Sequence, residues 1–175
     1  MFVCAGDSEQ FDFATPIGIG MVEAAIHLTQ LCSENPPKSL TFIGTAGSYG
    51  RKDLFEIIES HTATNIENGF FEGNTYTPID NVVSTAKDVS HETLVNSSNY
   101  ITTSEASARH YIENNIDLEN MEFYGVLKVA KELGIPAGGV FVVTNYCNAD
   151  AHKDFMANHD EAKRLLTGYI KDHHA

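Results

Sequence analysis

The segment Leu40-Thr41-Phe42-Ile43-Gly44-Thr45-Ala46-Gly47 decides the fold class, because an apolar run of strand length passes directly into small and polar residues. This order is typical of a buried strand that opens into a loop. Two further apolar runs share the pattern: Leu94-Val95 before Asn99-Tyr100, and Val140 to Val143 before Thr144-Asn145. The sequence therefore predicts three strands whose following loops carry polar side chains.

Helical patterns alternate with these strands. The clearest runs from Met121 to Leu133, and Met21 to Cys32 and Asp160 to Lys171 are the other two. Strands that alternate with helices indicate an α/β fold, a single domain over residues 1–175 with a central mixed, largely parallel β-sheet flanked by helices. Ligands bind beyond the carboxyl ends of the strands in such sheets, so the three loops are expected to meet in one cleft.

Two other segments carry weaker patterns. Phe2-Val3-Cys4-Ala5-Gly6 could form a first strand, and Leu54 to Ile66 is rich in strand-forming residues. The polar stretch Glu67 to Thr77 that follows has no assigned role.

The composition limits the possible partners. The chain has 175 residues, a net charge of -13 and 42% apolar residues. Such a charge repels nucleic acid and anionic membranes, and no apolar run reaches the roughly 18 residues that a membrane-spanning helix needs. The brief apolar start lacks the features of a secretory signal. We therefore expect a cytoplasmic location and neither nucleic-acid nor membrane partners.

The cysteines and histidines show no metal-binding pattern. Cys4, Cys32 and Cys147 are widely spaced, without a C-x-x-C pair. The histidines are scattered, and the final pair is typical of a solvated tail: His27, His61, His91, His110, His152, His159, His173 and His174. We expect reduced thiols and no metal.

Two glycine-containing turns are candidates for anion binding. The turn at Gly44-Thr45-Ala46-Gly47 could present backbone N–H groups and a hydroxyl to an anion, or it could simply reverse the chain. Gly18-Ile19-Gly20, which precedes a predicted helix, has the same two interpretations.

Three side chains could bind a ligand. Glu122 lies at the start of a helix, where the dipole favours its ionised form and it could accept hydrogen bonds from sugar hydroxyls; it could also simply face water. Asn145 could bind the edge of a base or form an Asx turn. Tyr100 could stack on a flat ring or pack in the core.

Taken in order, five segments resemble the successive signatures of purine nucleoside phosphorylases and of methylthioadenosine/adenosylhomocysteine nucleosidases. The resemblance covers about residues 1 to 155, in a chain shorter than typical members, and implies a phosphorylase/hydrolase-like fold. The segments are Pro16-Ile17-Gly18-Ile19-Gly20-Met21-Val22-Glu23-Ala24-Ala25, Phe42-Ile43-Gly44-Thr45-Ala46-Gly47, Asn99-Tyr100-Ile101, Met121-Glu122 and Val143-Thr144-Asn145.

The resemblance implies a role for each matching residue. Thr45, with Gly44 and Gly20, would hold the nucleophile, which is phosphate or water. Tyr100 would lie against the purine and Met121 beneath the sugar. Glu122 would bind the ribose hydroxyls, and Asn145 would face the purine. Catalysis would depend on Glu122 and Asn145.

Two departures concern the nucleophile. The hexameric phosphorylases have an arginine before the glycine-rich turn, where this chain has Phe42-Ile43. The nucleosidases have a water-activating glutamate on the first strand, for which Glu9 is the possible equivalent. The missing cation could also come from Arg51, Lys52 or Arg109 across a subunit interface.

The resemblance predicts a pentosyltransferase of the purine nucleoside phosphorylase type. It would use phosphate as co-substrate and no cofactor, release free base and ribose 1-phosphate, and form a homo-oligomer. The family's asparagine is found in enzymes that prefer inosine and guanosine, so Asn145 implies 6-oxopurine nucleosides. The alternatives are a purine nucleosidase that uses water, and a catalytically silent protein that binds a nucleoside or purine.

Overall fold

The computed structural model describes residues 1–86 and 92–174. The described residues form five helices and nine strands. The helices are α1 (Met21–Glu34), α2 (Asn68–Phe71), α3 (Glu105–Glu113), α4 (Phe123–Glu132) and α5 (Ala151–His173). The strands are β1 (Phe2–Cys4), β2 (Thr15–Pro16), β3 (Leu40–Ser48), β4 (Ile57–Ser60), β5 (Thr62–Thr64), β6 (Val82–Ser84), β7 (Leu94–Ser97), β8 (Ile116–Asn120) and β9 (Ala137–Tyr146).

The strands form one mixed sheet in which most pairs are parallel. Its main path is β2-β1-β3-β8-β7-β5-β6, and β9 joins it by pairing with β3 and β4. β3 is parallel to β1 and β9 and antiparallel to β8. The predicted α/β class with a mixed, largely parallel sheet is confirmed.

Helices cover both faces of the sheet. Phe141 and Val143 of β9 belong to a core that also contains buried residues of α1 and α4. Val140 and Val142, which alternate with them, pack in a second core with Leu166 of α5. Because successive strand residues point to opposite faces, β9 is apolar from Val140 to Val143 and buried on both sides there.

Two predicted strand ends are wrong. β3 continues through Gly44 to Gly47 and ends at Ser48, and β9 continues to Tyr146. The two strands pair along their full lengths, with an irregularity in register between Ala46 and Gly47. Small residues here extend the pairing because the neighbouring strand supplies hydrogen-bond partners, which a single sequence does not reveal.

The helix boundaries also differ from the pattern. α4 begins at Phe123, two residues after the predicted start, and α5 begins nine residues before Asp160. The polar stretch after Ile66 contains α2, and β6 follows it. Within the described residues, no helix is both long and apolar enough to cross a membrane.

Candidate active site

A cavity of about 290 Å³ opens where β3, β8 and β9 lie side by side. Parts of all three predicted loop regions line it, so the structure brings them together as expected. The lining residues that matter below come from the loops after β1, β7 and β8, from these three strands and from α5: Glu9, Thr45, Gly47, Ile101, Glu119, Met121, Glu122, Asn145, His152 and Phe155.

Glu9 lies in this cavity and contacts Thr45. The loop after β1 folds back through a bridge between Gly6 and Glu9. The Thr45 hydroxyl donates to Glu9 Oε1, and the Thr45 N–H donates to Oε2 over 3.3 Å. A Cβ atom at position 44 would lie 2.9 Å from Glu9 Oε2, so Gly44 leaves room for the carboxylate. Gly44 does not line the cavity itself.

Helix α5 anchors the Glu9 loop from behind. The Ser8 carbonyl accepts hydrogen bonds from His159 Nε2 and Lys163 Nζ, each over 2.9 Å. His159 must carry its proton on Nε2, because a carbonyl oxygen only accepts. No local pattern predicts this contact, since His159 lies 151 residues from Ser8.

The surroundings of Glu9 favour the neutral carboxyl more than water does. Burial raises the pKa of Glu9, while the hydrogen bonds from Thr45 and the charges of His159 and Lys163 lower it. Burial is the largest of these effects, so the net shift is upward. Glu9 is thereby a stronger proton acceptor than an exposed glutamate.

Glu122 is buried at the junction of β8 and α4. Its Oε1 accepts the Gly20 N–H over 2.8 Å, and its Oε2 accepts the Met121 N–H over 3.2 Å. The Asn120 side-chain amide donates to Oε2 over 3.4 Å. The Gly20 N–H is thus engaged by Glu122, and Gly20 does not line the cavity as a nucleophile-binding residue.

The helix dipole does not hold the pKa of Glu122 at its ordinary value. Burial raises the pKa of Glu122 to about 7, and the charge of Glu9 adds to this effect. The hydrogen bonds from Gly20 and Met121 oppose the shift without cancelling it. Removal from water therefore outweighs the favourable field at the helix start.

Asn145 is buried and lines the cavity beside Gly47. Its Oδ1 accepts the Thr144 hydroxyl over 2.9 Å, and its Nδ2 donates to the Tyr146 carbonyl over 3.2 Å. An amide nitrogen has two hydrogens, and the described residues provide one acceptor for them. The side chain is thus fixed in place, with a donor available to a ligand.

Tyr100 does not reach this cavity. Its side chain is 83% exposed and lines a neighbouring polar cavity at the start of α3. Ile101 lines the predicted site in its place. Tyr100 lies in a bend after β7, and the structure brings this loop, but not the Tyr100 side chain, to the cavity wall.

The cationic side chains considered for phosphate lie elsewhere. Arg51 binds the Ile112 carbonyl over 2.6 Å and pairs with Asp117, and Lys52 pairs with Glu56. Arg109 is exposed on α3. Among the residues that the structure describes, neither Lys nor Arg lines the cavity.

The described part of the chain contains no group of three or more His, Cys, Asp or Glu side chains that could hold a metal ion. His91 lies outside the described residues. Several residues of the cavity wall were not predicted from the sequence, among them Glu119, His152 and Phe155. Glu119 lies on β8, shortly before the Met121-Glu122 pair, and no sequence motif predicts that its side chain lines the cavity.

The sheet and the flanking helices form an α/β fold, and its cavity combines a largely apolar wall with a few carboxyl and amide groups. A family model described as the phosphorylase superfamily matches residues 13–172. The chain belongs to this superfamily. A comparison with curated protein sequences finds no match.

Solved structures with the same fold include two proteins from Helicobacter pylori. A mutant of the nucleosidase MTAN with 5'-methylthioadenosine in its active site is 14% identical, with a TM-score of 0.76 over 91% of this chain and 78% of that one. A mutant of futalosine hydrolase is 14% identical, with a TM-score of 0.74 over 90% and 77% of the two chains.

A third solved structure covers nearly all of both chains. The 5'-methylthioadenosine/S-adenosylhomocysteine nucleosidase from S. pneumoniae is 12% identical, with a TM-score of 0.76 over 95% of this chain and 94% of that one. At such identities the likeness establishes the fold.

The predicted assignment to the pentosyltransferases is wrong. The solved structures that resemble this chain are named nucleosidases and a futalosine hydrolase, so they cleave with water. The contact between Glu9 and Thr45 agrees with this correction, because a carboxylate occupies the donors that were expected to bind phosphate.

Proposed function

We propose that this chain hydrolyses the N-glycosidic bond of purine nucleosides, with Glu9 as the general base. The observation that carries the proposal is the pair of hydrogen bonds from Thr45 to the Glu9 carboxylate inside the cavity. The Glu9 carboxylate, which can accept a proton, thus lies beside Thr45, the residue that the family resemblance implies binds the nucleophile.

Phosphate fits this position poorly. The Thr45 hydroxyl and N–H already bind a carboxylate, and a phosphate ion beside Glu9 would add a second negative charge. Like charges at short distance repel strongly where water is scarce. Glu119 and Glu122 are further acidic side chains of the cavity wall, and the described residues bring neither Lys nor Arg to it. Water carries no charge and avoids this repulsion.

The reaction follows from these contacts. Glu9 takes a proton from a water molecule while the oxygen of that water bonds to the anomeric carbon of the sugar. The electron pair of the broken C–N bond leaves with the purine. Glu122 accepts hydrogen bonds from the sugar hydroxyls and holds the anomeric carbon against Glu9. Asn145 binds the base, and an amide donor there favours the oxygen of a 6-oxopurine.

The proposal is tested by incubating the purified protein with inosine, guanosine, adenosine or 5'-methylthioadenosine, with and without phosphate, in water enriched in ¹⁸O. We expect free base and ribose carrying ¹⁸O, at a rate that phosphate does not change. Formation of ribose 1-phosphate would overturn the proposal. Thermal stabilisation by a nucleoside without turnover would instead indicate a binding protein.

The role of Glu9 is tested by Glu9→Gln, which keeps the shape of the side chain and removes its basicity. We expect kcat to fall by about 10²- to 10⁴-fold, the usual contribution of a general base. Asp7→Asn is the matched control, because Asp7 is an exposed carboxylate of the same loop. Equal activity of the two variants would exclude Glu9 as the base.

A further inference from the structure

Hydrolysis of a purine nucleoside also requires a proton for the leaving base, and this requirement rests on the proposed function. A departing purine anion is stabilised when an acid protonates a ring nitrogen. Asn145 can donate a hydrogen bond, but its amide cannot give up a proton at neutral pH. The base-binding side of the cavity therefore needs another acid.

Glu119 lies on that side of the cavity. In the sheet, Gly47 of β3 pairs with Glu119 of β8 on one edge and with Asn145 of β9 on the other. Directly paired residues point to the same face, so Glu119 and Asn145 flank a glycine that places no side chain between them. Both line the cavity.

A side chain at position 47 would fill this gap. A Cβ atom there would lie 3.0 Å from Asn145 Nδ2 and 3.1 Å from Cys147 Sγ. The Cys147 thiol in turn lies 3.9 Å from Glu119 Oε1. Glu119 and Asn145 therefore border one narrow space, and a planar base held by Asn145 would present its other atoms towards Glu119.

The Glu119 carboxyl is held in a fixed orientation. The Thr102 hydroxyl and the Tyr49 hydroxyl donate to Oε2 over 2.5 and 2.9 Å. Oε1 accepts one hydrogen bond of normal length, from the Thr102 N–H over 2.8 Å. The long contact with Cys147 leaves the second lone pair of Oε1 for a proton that a ligand can share.

The surroundings favour a neutral Glu119. The side chain is buried, and within the described residues it makes no ion pair with Lys, Arg or His. Burial raises the pKa of Glu119, and the hydrogen bonds from Thr102 and Tyr49 only partly oppose this. Burial also raises the pKa of the Cys147 thiol, which keeps its own proton.

We propose that Glu119 is the general acid that protonates the leaving purine. As the C–N bond breaks, its electron pair stays on the base, and the Glu119 proton transfers to a ring nitrogen. Glu9 meanwhile takes one proton from water, whose oxygen bonds to the sugar. Glu9 then loses that proton to solvent and Glu119 regains one, so the products are neutral base and ribose.

The test compares two substrates, because only one needs the acid. Inosine releases a poor leaving group, whereas p-nitrophenyl β-D-ribofuranoside releases a stable anion that departs without protonation. In Glu119→Gln we expect kcat for inosine to fall by about 10²-fold or more, and kcat for the nitrophenyl riboside to stay within about threefold of wild type. Glu119→Asp, which keeps an acid, should lose less activity on inosine than Glu119→Gln.

The outcomes separate this proposal from the one on which it rests. A wild-type protein that cleaves neither substrate would refute the proposed function itself. If Glu119→Gln and Glu119→Asp each lose equal activity on both substrates, Glu119 only supports the structure. If Glu119→Gln retains full activity on inosine, Glu119 takes no part in the reaction. Each of these two results would overturn the assignment of Glu119 as the acid.

Discussion

At the scale of single residues, the burial of the Glu122 carboxyl makes the stability of the folded protein depend on pH. Its pKa is about 7 in the folded protein, against about 4.3 in an unfolded chain. The folded state therefore binds the proton more tightly, and the free energy of unfolding falls as the pH rises from the lower to the upper value. The loss amounts to about 4 kcal/mol, at roughly 1.4 kcal/mol per pKa unit.

We therefore expect Glu122→Gln to be more stable than wild type above pH 7, by up to about 4 kcal/mol, and similar to it near pH 4. Its kcat/KM for inosine should fall, because an amide binds sugar hydroxyls less strongly than a carboxylate. Urea denaturation at pH 4.5 and pH 8 measures the first effect. Glu132→Gln, an exposed glutamate of α4, is the control. A stability difference that does not change with pH would contradict the prediction.

Asn145 determines the preferred base in our proposal. Asn145→Asp replaces a donor with an acceptor, so 6-oxopurines should bind less well and 6-aminopurines better. We expect the ratio of kcat/KM for adenosine to that for inosine to rise by about tenfold or more, the effect of one altered polar contact. Asn148→Asp, in the loop after β9 and outside the cavity wall, is the control. An unchanged ratio would remove the basis for the proposed substrate class.

At the scale of secondary-structure elements, Gly139 sets the distance between β9 and α4. A Cβ atom there would lie 2.7 Å from Phe123 Cε2 and 2.6 Å from Phe141 Cε2. Both phenylalanines are fully buried and pack edge to face, with ring centroids 5.0 Å apart. Neither ring can move away without disturbing the core shared by the sheet and α4.

Gly139→Ala should therefore lower the free energy of unfolding by about 1–3 kcal/mol, the usual cost of overpacking. Gly168→Ala is the matched substitution in α5, where a Cβ atom would meet no atom within 4 Å. It should raise the free energy of unfolding by about 0.5–1 kcal/mol, because alanine favours a helix. Chemical denaturation of both variants tests the pair, and equal effects would refute the packing argument.

At the scale of the whole molecule, α1 presents an unusual surface. Val22 and Ile26 are 64% and 48% exposed, on the side of the helix opposite its buried residues. Ile19, which precedes α1 and lines the cavity, is 49% exposed. Apolar side chains clustered on one face of a helix often pack against another chain. This surface is the best candidate for the predicted homo-oligomer.

We expect Val22→Asp to shift the protein from an oligomer to a monomer in size-exclusion chromatography with light scattering. An aspartate buried at such an interface would lose hydration without gaining a partner. Met156→Asp on α5 is the matched control, because Met156 is also 64% exposed. A monomeric wild-type protein would show that the predicted oligomer is wrong, and equal effects of both substitutions would exclude α1 as the interface.

The fold class, the family and part of the cavity wall could be predicted from the amino-acid sequence alone. Apolar runs that alternate with helical patterns predict the α/β sheet, because strands buried on both faces are continuously apolar and helices covering the sheet have apolar residues at helical spacing. Thr45, Met121, Glu122 and Asn145 were named from short local motifs, and all four line the cavity together with Glu9. Local patterns suffice where neighbouring residues along the chain also share a surface.

The arrangement of Glu9 and Glu119 around the cavity depends on contacts between distant segments. Glu9 contacts Thr45 because a loop folds back after β1, and Glu119 and Asn145 flank Gly47 because β8 and β9 both pair with β3. The pKa of Glu122 depends on burial by residues distant in sequence. These features arise from strand register and from the exclusion of solvent. Both depend on contacts between distant segments, so they cannot be predicted from any single segment of the sequence.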